Sequence, residues 1–163
     1  MNLYLLRHGE AETHAASDAL RKLTSCGSQH VIQVGKCFAA KACRIDRCFV
    51  SPYLRAQQTA CFFLAQQPAR LEFETQEILT PEVRAAEVIE FLASVPDENI
   101  LLISHNPLLS ELNAQLTEGN IENMTILGTS ELVALSLAIP AKAMATRRFS
   151  LSPEAHARQA SGR

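Results

Sequence analysis

Arg7, His8, Gly9 and Glu10 follow the apolar run Asn2-Leu-Tyr-Leu-Leu6 at the start of the chain. The run reads as a β-strand, so a guanidinium and an imidazole stand at a strand's carboxyl end, where open α/β sheets bind their ligands. Arginine matches phosphate oxygens through its planar fork of donors, and a neutral histidine can attack phosphorus with a ring nitrogen. Gly9 lacks the side chain that would keep a ligand from the backbone. Three further segments offer the same chemistry. Arg21 lies in Asp18-Ala-Leu-Arg-Lys-Leu-Thr24, a loop leading to a turn at Gly27; Arg55 stands one turn into a helix opened by Ser51-Pro52; His105 lies between an apolar strand and Asn106-Pro107. Singly, such residues are commonly solvated arginines and structural histidines. Jointly, Arg7, Arg21 and Arg55 could neutralise the equatorial oxygens of a phosphoryl group while His8 or His105 attacks in line.

The elements that must bring these residues together follow from hydrophobic periodicity. Strands are expected at Leu3–Leu6, Arg47–Val50, Leu71–Thr75, Ile100–Ile103, Glu131–Leu137 and Arg147–Leu151. The run at Ile100 is apolar on both faces, as in a central strand covered on both sides; Leu71–Thr75 alternates, as at an edge. Between them, apolar stripes predict helices over about Ser28–Lys41, Tyr53–Gln66, Val83–Val95 and Leu108–Leu116. Strands alternating with helices define an α/β domain. Ser51-Pro52 and Asn106-Pro107 each place a capping side chain before a proline suited to the first helical position. Both helix starts, with their backbone donors, should then face the sheet edge where Arg7 and His8 emerge.

At 163 residues the chain suits one domain, expected over 1–153, with a flexible tail at 154–163. A net charge of −2 offers no electrostatic footprint for nucleic acid or an anionic membrane. No apolar run approaches the ~18 residues of a spanning helix, and the first is too short for a signal peptide, so the expected location is cytoplasmic. Cys26, Cys37, Cys43, Cys48 and Cys61 show no C-x-x-C pairing and read as reduced thiols. Cys48 and Arg55 miss the Cys-x5-Arg spacing of a cysteine phosphatase; carboxylate-histidine clusters for two metals and a Gly-rich Walker loop are also missing.

Leu6-Arg-His-Gly-Glu10, Leu23-Thr24 with Gly27, Ser51-Pro-Tyr-Leu-Arg-Ala-Gln-Gln-Thr59 and Ile103-Ser-His-Asn106 resemble, in order, the signature segments of the histidine phosphatase (phosphoglycerate mutase-like) superfamily. The stretch Arg7–Thr24 and Leu79-Thr-Pro81 are most similar to the SixA-type phosphohistidine phosphatases. The resemblance implies a three-layer α/β/α sandwich with a six-stranded mixed, mostly parallel sheet whose penultimate strand is antiparallel. It implies His8 as the phosphorylated nucleophile, with Arg7, Arg55 and His105 around the phosphoryl group. Arg21 matches a further arginine of the SixA-type branch, and Gly9 and Ser51 are expected to touch substrate. No metal or organic cofactor is implied.

The attacking nitrogen of His8 must be unprotonated, whereas His105 works better as a cation or donor, so their pKa values are expected to be pushed apart. Larger relatives carry a carboxylate for the leaving group; here Asn106 follows His105, and Glu82 is the candidate acid, with Glu77 a poorer one. A phosphorylated imidazole needs less acid help than a phosphoester, because it leaves as a base that titrates near neutrality. Short connections leave little chain for a lid, which favours phosphohistidine displayed on another protein. The resemblance suggests a histidine-phosphotransfer domain or a phosphotransferase-system protein as partner, in signal transduction, with this protein a monomer. Two alternatives stand beside this reading: a small-molecule phosphomonoesterase of the same superfamily, and a non-catalytic phosphate-recognition module.

Overall fold

The computed structural model describes residues 1–153; the expected tail at 154–163 lies outside them. Six strands form one sheet: β1 (Asn2–Arg7), β2 (Arg47–Val50), β3 (Phe73–Thr75), β4 (Asn99–Ser104), β5 (Leu132–Leu137) and β6 (Ala145–Leu151), in the order β3-β2-β4-β1-β5-β6. The β3–β2, β2–β4 and β4–β1 pairs are parallel, while β5 runs antiparallel to both β1 and β6. The sheet is therefore mixed and mostly parallel, with its penultimate strand reversed.

Helices cover both faces. α1 (Ser25–Ala39) and α2 (Leu54–Leu64) pack on the side of Tyr4, Leu6, Val50, Leu101 and Ile103. α3 (Ala85–Ala93) and α4 (Leu108–Glu118) pack on the side of Leu3, Leu5, Phe49, Ile100 and Leu102. Successive residues of β1 and β4 thus serve opposite cores, which is why these two strands are apolar throughout. None of the helices is long and apolar enough to cross a membrane among the described residues.

The register decides which strand ends become neighbours. β4 lies between β1 and β2, with Arg7 opposite Ser104 and Val50 opposite Ile103. The residues immediately beyond, His8, Ser51 and His105, therefore emerge side by side at one edge.

Three local expectations are corrected. Gly27 is not in a turn but inside the first turn of α1, which Thr24 caps by accepting from Gly27 N at 2.9 Å. A Cβ at Gly27 would lie 2.1 Å from the carbonyl oxygen of Glu10, so glycine there permits close approach of the segment after β1. Ser51 and Asn106 are not the N-cap residues of α2 and α4; those positions are Tyr53 and Pro107, whose own side chains make no cap bond. Both candidate caps have other partners: Ser51 Oγ meets His105 Nε2, and Asn106 bonds the Leu127 carbonyl and the Ser110 hydroxyl. Asn106-Pro107 is a cis peptide. Two single-turn 3-10 helices, Asp18–Leu20 and Glu77–Leu79, also form, the first in a segment expected to be loop.

Candidate active site

His8 is buried at the end of β1, and its ring is fixed from both sides. Nδ1 lies 2.7 Å from the Gly9 carbonyl, which can only accept, so Nδ1 carries the proton. Arg55 Nε donates to Nε2 at 3.3 Å, so Nε2 holds the lone pair. Burial pushes the His8 pKa from 6.5 down to about 4; the Gly9 bond opposes this, and the charges of Arg55, Arg7 and Arg21 add to it. At neutral pH this imidazole is unprotonated at Nε2, the state in which a histidine can act as a nucleophile.

The arginines are held by acceptors that the neighbouring loops supply. Arg55, the second residue of α2, is buried and donates to the Asp18 carbonyl at 2.6 Å and to Asp18 Oδ2 at 2.9 Å. Arg21 donates to Asp18 Oδ1 at 2.9 Å and to the Glu12 carbonyl. One carboxylate thus ties two guanidiniums together, and their hydrogen bonds draw its pKa below the ordinary carboxylate value. Arg7 donates to the Leu127 carbonyl at 2.6 Å, while its Nε is buried without a partner. Burial and the charge of Arg55 lower the Arg7 pKa.

His105 lies beside His8, with ring centroids 4.9 Å apart. The Tyr53 ring also packs against it, with centroids 4.9 Å apart and the planes at 61°, and the Arg55 guanidinium sits over the Tyr53 ring. Its Nε2 is 2.8 Å from Ser51 Oγ, and its Nδ1 is buried with no partner. Burial, then the His8 and Arg55 neighbours, push its pKa far below 6.5. Of the two roles expected for His105, cation or donor, these surroundings disfavour the cation. Both pKa values move down, because both rings are desolvated beside guanidiniums, and the free protein holds two neutral imidazoles.

The residues expected at the site occupy different distances from it. His8, Arg7, Arg55 and His105 converge, and Arg21 joins them through Asp18. Gly9 has a packing role: a Cβ there would meet Gly27 O and Val31 Cγ2 at 2.9 Å. Its carbonyl orients His8, and its N–H donates to Thr59 Oγ1. Ser51 is fully buried, with its hydroxyl against His105. Glu82 is exposed and accepts from the Tyr53 hydroxyl at 3.3 Å, so it stands one residue away from His105. Glu77 is exposed in the 3-10 turn before it.

Asp18, Thr59, Tyr53 and the Leu127 carbonyl are site residues that the sequence reading passed over. Two carried a signal: Asp18 lies three residues before Arg21, and Thr59 one helical turn after Arg55, whose carbonyl it bonds at 2.7 Å. The Leu127 carbonyl carried none, since any residue has one.

A fold of this topology, with two neutral histidines among arginines at the strand ends, offers the groups that phosphoryl transfer would use. Comparison with known proteins narrows the class. Residues 3–81 match the model of the histidine phosphatase superfamily (branch 1). The chain is 39% identical over 128 residues to the phosphohistidine phosphatase SixA homolog of Haemophilus influenzae, covering 71% of this chain and 77% of that one. It is 32% identical over 145 residues to phosphohistidine phosphatase SixA of Escherichia coli, covering 84% and 86%. The solved structure of the protein histidine phosphatase SixA complexed with tungstate superposes with a TM-score of 0.85 at 29% identity, covering 96% and 99% of the two chains. The chain belongs to the histidine phosphatase superfamily, in its SixA-type branch, and is a phosphatase.

Proposed function

We propose that this protein dephosphorylates phosphohistidine on another protein, through a covalent phosphohistidine on His8. What carries the reading is the state of His8: a ring whose proton is committed to the Gly9 carbonyl and whose Nε2 lone pair faces the Arg55 guanidinium. A pure phosphate-binding module needs the arginines but not such a nucleophile. The names of the two curated relatives supply the substrate class.

In the first step the Nε2 lone pair of His8 forms a bond to phosphorus as the bond to the substrate's imidazole nitrogen breaks. That imidazole departs with the electron pair. Because His8 keeps its Nδ1 proton, its phosphorylated ring is an imidazolium, a good leaving group. Water then attacks phosphorus, the P–Nε2 bond breaks, dihydrogen phosphate departs and neutral His8 is restored. Arg7, Arg55, Arg21 and His105 would stabilise the charge on the equatorial oxygens in both steps. The buried, unpartnered Arg7 Nε and His105 Nδ1 suit that task, since each lacks the hydrogen bond an oxygen would complete. A substrate ring protonated on its other nitrogen leaves, like the His8 imidazolium, as a neutral imidazole, so neither step demands a carboxylic acid. Glu82, at the end of the Tyr53 contact, is the acid we propose for any leaving group that does need one.

A protein substrate is further supported by the rim. Leu20, two residues after Asp18, is 54% exposed, and Ile126, next to Leu127, is 59% exposed, on the two segments that hold Arg55 and Arg7. Apolar groups there suit a macromolecular surface more than a small polar metabolite. We place the reaction in the cytoplasm and the protein as a monomer, which size-exclusion chromatography checks.

The deciding experiment incubates the protein with a phosphorylated histidine-phosphotransfer domain or phosphotransferase-system protein, and separately with phosphoglycerate and para-nitrophenyl phosphate. Hydrolysis of the phosphohistidine protein should be much the faster, with an acid-labile phosphoenzyme visible by mass spectrometry and lost in His8→Ala. Equal or faster turnover of the small phosphomonoesters would overturn it.

A further inference from the structure

His105 presents a problem for any phosphoryl site. Phosphoryl oxygens only accept hydrogen bonds, so the ring beside them must offer a proton. Yet this ring is 1% exposed, with His8, Arg55 and Arg7 nearby, surroundings that disfavour a cation. Of the two neutral tautomers, only the one protonated at Nδ1 can donate to an oxyanion there, because Nε2 is already engaged by Ser51.

Hydrogen-bond bookkeeping around Ser51 selects between them. Its side chain is 0% exposed. Oγ accepts from the Tyr53 backbone N–H at 3.4 Å, and its other partner is His105 Nε2 at 2.8 Å. If Nε2 carried the proton, Oγ would receive two N–H groups and its own proton would have no acceptor. Nδ1 would then be a bare lone pair, buried with no donor to meet it. If Ser51 donates instead, its proton, the Tyr53 N–H and Nε2 are all satisfied. The one unfilled donor is then Nδ1–H, the atom that has no partner in the free protein. Leaving a buried polar group unmade costs about 1–3 kcal/mol, so the second arrangement wins by at least one such group.

We propose that Ser51 is a positioning residue that fixes the tautomer of His105: its hydroxyl donates to Nε2, so the ring carries its proton on Nδ1 and presents it to the phosphoryl group. The consequence for turnover rests on the proposed phosphoryl site; the tautomer itself does not. Ser51 thereby lets a histidine too buried to be a cation still act as a donor, without touching substrate. His8 and His105 come out as opposite ends of one device. Each has its proton on Nδ1, but in His8 that proton faces the Gly9 carbonyl and the lone pair faces Arg55, whereas in His105 the lone pair faces Ser51 and the proton is left without a partner.

The test is long-range proton–nitrogen correlation NMR on the whole protein with 15N-labelled histidine at pH 7, the His105 ring assigned by its disappearance in His105→Gln. Wild type should show His105 protonated at Nδ1 only. Ser51→Ala should lose that preference, and Ser51→Thr, which keeps a hydroxyl, should retain it. In parallel, kcat on a phosphohistidine protein should fall about 10- to 100-fold in Ser51→Ala, the range of one hydrogen bond to a charged group, and recover in Ser51→Thr. A wild-type His105 found as the Nε2–H tautomer or as imidazolium overturns the proposal whatever the variants do, as does an unchanged tautomer in Ser51→Ala. An Nδ1–H tautomer in a protein that leaves phosphohistidine intact would uphold the role of Ser51 and sink the proposed substrate.

Discussion

Asp18 is the residue on which the cationic side of the site turns. It places one carboxylate between two guanidiniums that would otherwise repel each other, and adds its own carbonyl to the Arg55 fork. Asp18→Asn keeps the size but loses the charge and one acceptor of the bridge. Hydrogen bonds to charged groups are worth about 1.5–3 kcal/mol, so kcat/KM on phosphohistidine should drop roughly 10- to 100-fold. Unchanged kinetics would show that Arg55 and Arg21 hold themselves. Glu82 separates the two leaving groups. General acids contribute about 10²- to 10⁴-fold where the leaving group needs a proton, so Glu82→Gln should leave phosphohistidine hydrolysis within about 3-fold while slowing any residual phosphomonoester turnover far more. A comparable loss on both substrates would make Glu82 a structural partner of Tyr53 only.

At the scale of elements, the segment after β1 is held between helices α1 and α2. Thr24 N donates to the Glu10 carbonyl, Gly9 N donates to Thr59, and Gly27 gives Glu10 room to approach. Gly27→Ala raises helix propensity by about 1 kcal/mol, but its Cβ would overlap the Glu10 carbonyl oxygen. Overpacking of this kind costs about 1–3 kcal/mol or more, so the variant should melt below wild type and turn over more slowly, because the displaced loop carries His8's acceptor. A higher melting temperature with full activity would show that the approach is softer than its geometry. The segment that carries Leu127 acts on the opposite side: its carbonyl accepts from Arg7 and Asn106, and its N–H is met by Ser110. Asn106 therefore stands as a structural brace beside His105.

For the whole molecule, burying two neutral histidines makes stability depend on pH. Unfolded, each titrates near 6.5; folded, His8 titrates at about 4 and His105 is also pushed down, both primarily by burial. Between those values the unfolded chain binds protons that the native chain does not, so stability is complete above about 6.5 and is lost as pH falls towards 4. Calorimetry should find a melting temperature that declines from pH 7 to 4.5, with a smaller decline in His8→Gln; a flat profile would mean that the rings are solvated. The sheet that imposes this burial depends on its central strand. Leu102 is fully buried on β4 between β1 and β2, and Leu102→Ala should destabilise the fold by about 2–5 kcal/mol, measured by denaturant unfolding.

The chemistry was legible in the chain because it is carried by residue types at strand ends: Arg7 and His8 after one apolar run, His105 after another, Arg55 behind Ser51-Pro52. The order of strands and helices was equally legible, since β1 and β4 are apolar on both faces and the helices carry apolar stripes. Helix boundaries were less so, because Ser51 and Asn106 look like caps until tertiary partners claim their side chains. No local pattern could reveal that Ser51 serves His105, that Asp18 joins Arg21 to Arg55, or that both histidines are neutral. Those facts depend on β4 lying between β1 and β2, which brings positions 8, 51 and 105 together in a dry edge. By itself the sequence determined which groups could transfer a phosphoryl group. Tertiary structure alone decided where their protons sit, because desolvation and hydrogen-bond partners exist only once the strands have paired.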